Sequence, residues 1–164
     1  MQTGAKRGEA GWRMLEAKRA CERLGQVSAM LESLADGSWD GSEPWASRGG
    51  SKPAHSDPTM ASALSEGAAR RRLEGERDRL VPLVEEAGLV VAAVRAGLGD
   101  GAADALDWYF LQGLRVTWWD VAYELSMTEG RQVTATAARL RAARACAWVD
   151  EQGWERLVVR SHSA

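Results

Sequence analysis

The chain is poor in several residue types that usually carry chemistry: its 164 residues include one phenylalanine, two tyrosines, two histidines, two cysteines and four prolines. Cys21 and Cys146 lie far apart, with no CxxC spacing and no histidine pair nearby. That pattern argues against a disulfide framework or a zinc site and reads as two reduced, buried thiols. His55 and Asp57 form a lone His-x-Asp without a third ligand, and His162 falls in a C-terminal stretch expected to fray. There is no nucleophile motif, no glycine-rich phosphate loop and no paired histidine and carboxylate, so nothing points to an enzyme or a cofactor. No run approaches the ~18 apolar residues of a membrane span, and residues 1–11 are polar with no apolar signal core. A soluble, cytoplasmic protein is the expectation. The net charge of −2 excludes a bulk-basic nucleic-acid binder but leaves room for a locally basic face.

Tryptophan is abundant, with eight indoles, and there are 17 glycines. Hydrophobic residues make up 45% of the chain and charged residues 27%, which supports a packed core. The length suits one domain, or a small domain plus an extended arm.

From residue 11 to 36, Ala17, Ala20, Leu24, Val27, Leu31 and Leu34 alternate steps of three and four, the narrow stripe of a coiled-coil seam. Residues 36–58 are rich in Gly, Ser, Pro and Asp and read as a linker or long loop carrying Trp39 and Trp45. A second helix is expected from about residue 58 to 98. In it Leu73, Leu80, Ala87 and Val94 recur every seven residues, joined by Leu83 and Val90. Pro82 should kink or break it, because proline removes a hydrogen bond and clashes with the preceding turn. Arg70, Arg71 and Arg72 are followed by Glu74, Glu76 and Asp78 and read as a solvated, ion-paired face. The simplest arrangement is a long antiparallel helical arm over residues 11–98.

The glycines at 97, 99 and 101 read as a hinge leading into a compact domain, 100–150. There a short helix over 102–111 presents Leu106, Tyr109 and Phe110 and stops at Gly113. Thr117 and Asp120 form a capping-box-like pair opening a helix over 118–125, with Val121, Ala122 and Leu125 buried. After Ser126-Met127-Thr128, a third helix over 129–150 is expected, with Thr128 as its N-cap and Val133, Ala137 and Leu140 facing inward. Two short helices joined by a tight turn make a helix-turn-helix.

The charge pattern sharpens this reading. Residues 100–129 hold six acids against Arg115, whereas 130–149 hold Arg131, Arg139, Arg141 and Arg144 and no acid, a switch from −5 to +4. On that helical register Arg131, Gln132, Ala135 and Arg139 project into solvent, residue types suited to reading bases in the major groove. Thr117, Thr128, Arg141 and Arg144 are the candidate contacts to the DNA backbone, although Arg144 falls on the buried side of the same wheel. Trp108 and Trp118 belong to domain packing, Trp148 to the end of the third helix, and Trp12 and Trp154 to segment ends. Trp39, Trp45 and Trp119 are left over by this scheme and are where a partner or a pinned loop is to be sought, Trp119 being a candidate protein contact.

The run from Leu106 to Arg144, with WYFLQGLRVTWWDVAYELSMTEGRQVTATAARL, resembles the fourth-region helix-turn-helix of bacterial sigma factors, and more closely phage-encoded sigma-like regulators of the ArpU and RinA type. The shared features are the Tyr or Phe-Leu-x-Gly helix end, the Thr-Trp-x-Asp helix opening and the Val-Ala-x-x-Leu core. Upstream, GSKPAHSDPT resembles the link that joins two helical segments in those proteins. Trp119 stands where an acid is usual, and Gln132 comes one residue before the expected apolar position. The resemblance implies double-stranded DNA binding, with RNA polymerase as a further candidate partner, and a role in phage or prophage gene expression. The reading is therefore an all-α protein, with a helical arm, a sigma-like helix-turn-helix at 100–150 and a tail at 151–164. Its expected function is sequence-specific transcription regulation. The rival is a phage assembly or interaction protein, such as a small terminase component, in which the arm forms a homodimer or larger oligomer.

Overall fold

The computed structural model describes residues 8–38, 58–113 and 115–163. The expected linker, with Trp39, Trp45, His55 and Asp57, lies outside them. The described residues are helical, and the all-α expectation holds: α1 (Glu9–Asp36), α2 (Pro58–Leu98), α3 (Asp100–Leu106), a π-helical turn (Asp107–Leu111), α4 (Trp118–Glu129), α5 (Ala135–Gln152) and α6 (Trp154–His162). None of these helices is long and apolar enough to cross a membrane. The chain divides into two compact units, one of residues 24–79 and one joining the residues before Leu24 to those from Leu80 onward. The division therefore falls inside α1 and α2 rather than at the glycines near residue 99.

The smaller unit has its own core of Val27 and Leu34 from α1 and Ala69 and Leu73 from α2, with Met30 and Leu31 at its edge. Val27, Leu31, Leu34 and Leu73 are positions of the heptad-like stripes, whereas Met30 and Ala69 lie outside them. Pro82 does not break α2, which runs through it as one helix. The proline is exposed, so water can satisfy the carbonyl one turn earlier that its ring leaves without a donor.

In the larger unit, Ala10, Met14 and Ala17 of α1 and Ala87, Val90, Val91 and Val94 of α2 share a core with α3 to α6. The π-helical turn buries Phe110 and sets the Tyr109 ring against its neighbours: stacked on Trp118 at 3.8 Å and edge-on to Phe110 at 4.8 Å. Lys18 of α1 donates to the Tyr109 carbonyl and, at 3.5 Å, to that of Val116, with its ammonium 4.0 Å from the Tyr109 ring centre. One side chain thus fixes both ends of the segment that leads into α4. Desolvation lowers the pKa of this lysine.

Two sequence expectations change here. The glycine run reduces to a one-residue break between helices. Only Gly99, at φ 93°, separates α2 from α3, while a Cβ at Gly97 would lie 2.5 Å from the Trp148 indole and one at Gly101 3.2 Å from Arg141 and Glu129. Close approach is what the flanking glycines supply. Nor is the segment after residue 150 a tail: α6 buries Trp154, Leu157 and Val158, and His162 pairs with the Val158 carbonyl. Trp154 donates to Glu86 at 3.4 Å beneath the Arg13 guanidinium. Leu157 and Val158 follow Trp154 by three and four residues, so these buried positions share one face of α6, while Val159 is exposed.

The N-terminus of α1 is capped from the far end of the sequence. Asp150 accepts a 2.8 Å bond from the Ala10 amide, and its carboxylate lies where a Cβ at Gly8 would be. Asp150→Ala should cost about 1 kcal/mol, the usual value of a lost cap, while Asp150→Asn should keep most of it. Urea unfolding is expected to show a lowered midpoint at unchanged slope for the alanine variant.

Both cysteines are free and partly buried. Burial, and then the Asp150 carboxylate, push the Cys146 thiol from 9.0 up to about 11, and burial raises Cys21 as well. A thiol with a raised folded pKa costs nothing while both states are protonated. As pH climbs above the ordinary thiol value, the unfolded chain ionises first and stability falls until the folded pKa is passed. The total for Cys146 is roughly 3 kcal/mol. Unfolding free energies measured at pH 7 and pH 10.5 should therefore differ less in Cys146→Ala than in the wild type. Equal pH dependence would contradict this origin.

Candidate nucleic-acid interface

The Thr117–Asp120 pair forms a complete capping box at the start of α4. Asp120 accepts from the Thr117 amide and hydroxyl at 2.7 Å, and the Asp120 amide donates back to the Thr117 hydroxyl at 3.4 Å. These bonds hold the Asp120 carboxyl below its usual pKa. Val121, Ala122 and Leu125 are buried, as the sequence suggests.

The turn, however, lies later than expected. α4 continues through Thr128 to Glu129 and ends at Gly130, which takes the left-handed conformation at φ 64°. Thr128 is not a cap; its hydroxyl donates to the Glu124 carbonyl within α4 at 3.0 Å. The cap of α5 is Thr134, whose side chain accepts from the Ala137 amide at 3.1 Å. Ser126 secures the turn, donating to the Ala122 carbonyl at 2.6 Å and accepting from the Val133 amide at 2.8 Å.

Moving the helix start from 129 to 135 resets which face of α5 is buried. Val133 is buried from within the turn, and the buried positions of the helix are Ala138, Ala142, Ala145 and Val149. Small side chains let α5 approach α3 and α4 closely. Ala137 is half-buried, and Leu140, expected inside, is 51% exposed. Ala135 packs against the core rather than presenting itself to a groove. Arg144, expected on the buried side, is exposed. The outer surface of α5 consists of Thr136, Arg139, Leu140, Ala143, Arg144 and Ala147, with the acids Asp150 and Glu151 exposed in its last turn, while Arg131 and Gln132 are exposed in the turn before it. Thr136, Leu140 and Ala143 were missed. The 4, 3, 4 spacing of Ala138, Ala142, Ala145 and Val149 is the sequence signal that would have found this face.

The four arginines are not equivalent. Glu129 chelates Arg141 through both carboxylate oxygens, the longer contact being 3.2 Å, and accepts from Arg131 at 2.9 Å. Arg141, and then Arg131, hold the Glu129 carboxyl below the usual range, while Glu129 raises Arg141. Arg139 and Arg144 make no ion pair with any described residue. No cluster of three or more possible metal ligands occurs among the described residues. A depression between Arg13, Glu16, Leu83, Glu86 and Trp154 measures about 60 Å³, far below the size of a small-molecule site. No family model, curated protein or solved structure matches this chain.

Proposed function

We propose that α4, the turn and α5 form a helix-turn-helix that binds double-stranded DNA, with the outer face of α5 in the major groove. The observation that carries this reading is the pair of exposed arginines, Arg139 and Arg144, on the second helix of the motif, in a stretch from Gly130 to Val149 that contains no acid. In this reading Arg139 and Thr136 meet base edges. Ala143 allows close approach, and Leu140 offers apolar contact to a thymine methyl. Arg131 and Gln132 reach from the turn, while Arg144 and a released Arg141 suit phosphates. Sequence-specific regulation of phage or prophage transcription, with RNA polymerase as a candidate partner, is the function this interface and the sigma-like resemblance support best.

Selection of bound sites from random duplex DNA tests binding and specificity together. Enrichment of a common motif is expected, blurred at single positions by Arg139→Ala. Recovery of no enriched sequence would refute sequence-specific binding.

A further inference from the structure

Three large side chains on α4 have no part in the DNA-binding reading. Trp119, Tyr123 and Met127 are 77%, 64% and 66% exposed, and their spacing of four puts them on one helix face. That stripe spans about 12 Å. A patch of this kind on a small domain marks a contact surface, and exposed tryptophan and tyrosine are the residues enriched at interface centres. Asp120 and Glu124 run along one edge of it. Antiparallel pairing of two α4 stripes about a two-fold axis would bring those acidic edges together, which disfavours that symmetric contact.

A surface of the opposite character lies on the same chain. α5 exposes Leu140 beside Ala143, flanked by Arg139 and Arg144. We propose that the α4 stripe of one copy docks on the outer face of α5 of another. The aromatic side chains would cover Leu140 and Ala143, and Glu124 would face Arg144. The contact is heterologous, so every assembly keeps one open α4 stripe and one open α5 face at its two ends, and association grows with concentration. It stands independently of DNA binding, although it uses the same arginines, and its test contains no DNA.

Sedimentation of the full chain from micromolar to hundreds of micromolar concentration should show average mass rising above that of the monomer. Glu124→Arg alone sets two arginines opposite each other, and Arg144→Glu alone sets two acids opposite each other. Each should remain monomeric, and an equimolar mixture of the two should associate again, because both cross-contacts are then favourable. Trp119→Ala combined with Tyr123→Ala changes only exposed positions and should also give monomers. The proposal is overturned if the wild type is monomeric throughout, or if the mixture fails to associate. A closed dimer insensitive to Arg144→Glu would overturn it too, by placing a second α4 on the stripe.

Discussion

Replacing Leu106 with alanine should cost about 3 kcal/mol, within the 2–5 kcal/mol typical of emptied leucine sites. Leu106 is fully buried where α3 passes into the π-helical turn, in the same core as Leu125, Phe110 and the alanines of α5. The packed helices around it cannot all move inward, so both the lost transfer energy and a residual cavity contribute. For a chain of this size the melting temperature should fall by roughly 6–12 °C. Leu98→Ala, at the exposed end of α2, is the control and should change stability by less than about 0.5 kcal/mol. A Leu106→Ala protein as stable as this control would mean that the core around α3 is not packed as described.

Neutralising Arg139 and Arg144 together should produce the largest functional effect. Each phosphate contact contributes about 0.9 to the slope of log affinity against log salt. If both arginines meet phosphates, the double alanine variant loses nearly two units of slope and tens-fold in affinity at about 0.1 M salt. If Arg139 instead reads a base, the slope falls by about one and discrimination between sequences falls with it. Glu129→Gln acts in the opposite direction, since one carboxylate now engages both Arg131 and Arg141. Freed of it, these side chains should steepen the salt dependence and tighten non-sequence-specific binding several-fold. Weaker binding by this variant would indicate that the carboxylate positions the arginines for DNA rather than competing with it.

Much of the fold was legible because its signals are periodic or local. The stripes through Val27, Leu34, Leu73, Ala87 and Val94 match buried positions, and the Thr117–Asp120 cap forms as its spacing suggests. Trp118 packs, against Tyr109. The start of α5 was misread because Thr128 and Thr134 are both plausible caps, and the choice rests on Gly130 adopting the left-handed conformation and Ser126 bonding across the turn. Six residues of offset were enough to bury Leu140 and Arg144 on paper and expose Ala135. α6 was missed because Trp154, Leu157 and Val158 amount to only one short apolar face, whose partner surface is supplied by distant segments. The Asp150 cap on α1 joins residues 140 positions apart, a relation no local pattern carries. The acid-free arginine stretch was visible at once, but its division into paired and unpaired members depends on where Glu129 ends α4.

The most direct test of the account is a fluorescence anisotropy titration of a short DNA duplex, repeated between 50 and about 200 mM salt, for the wild type and for Arg139→Ala/Arg144→Ala. The account predicts binding by the wild type whose log affinity falls linearly with log salt, at a slope of about −3, and a double variant whose slope is shallower by one to two units. No binding at the lowest salt, or identical slopes for the two proteins, would contradict it.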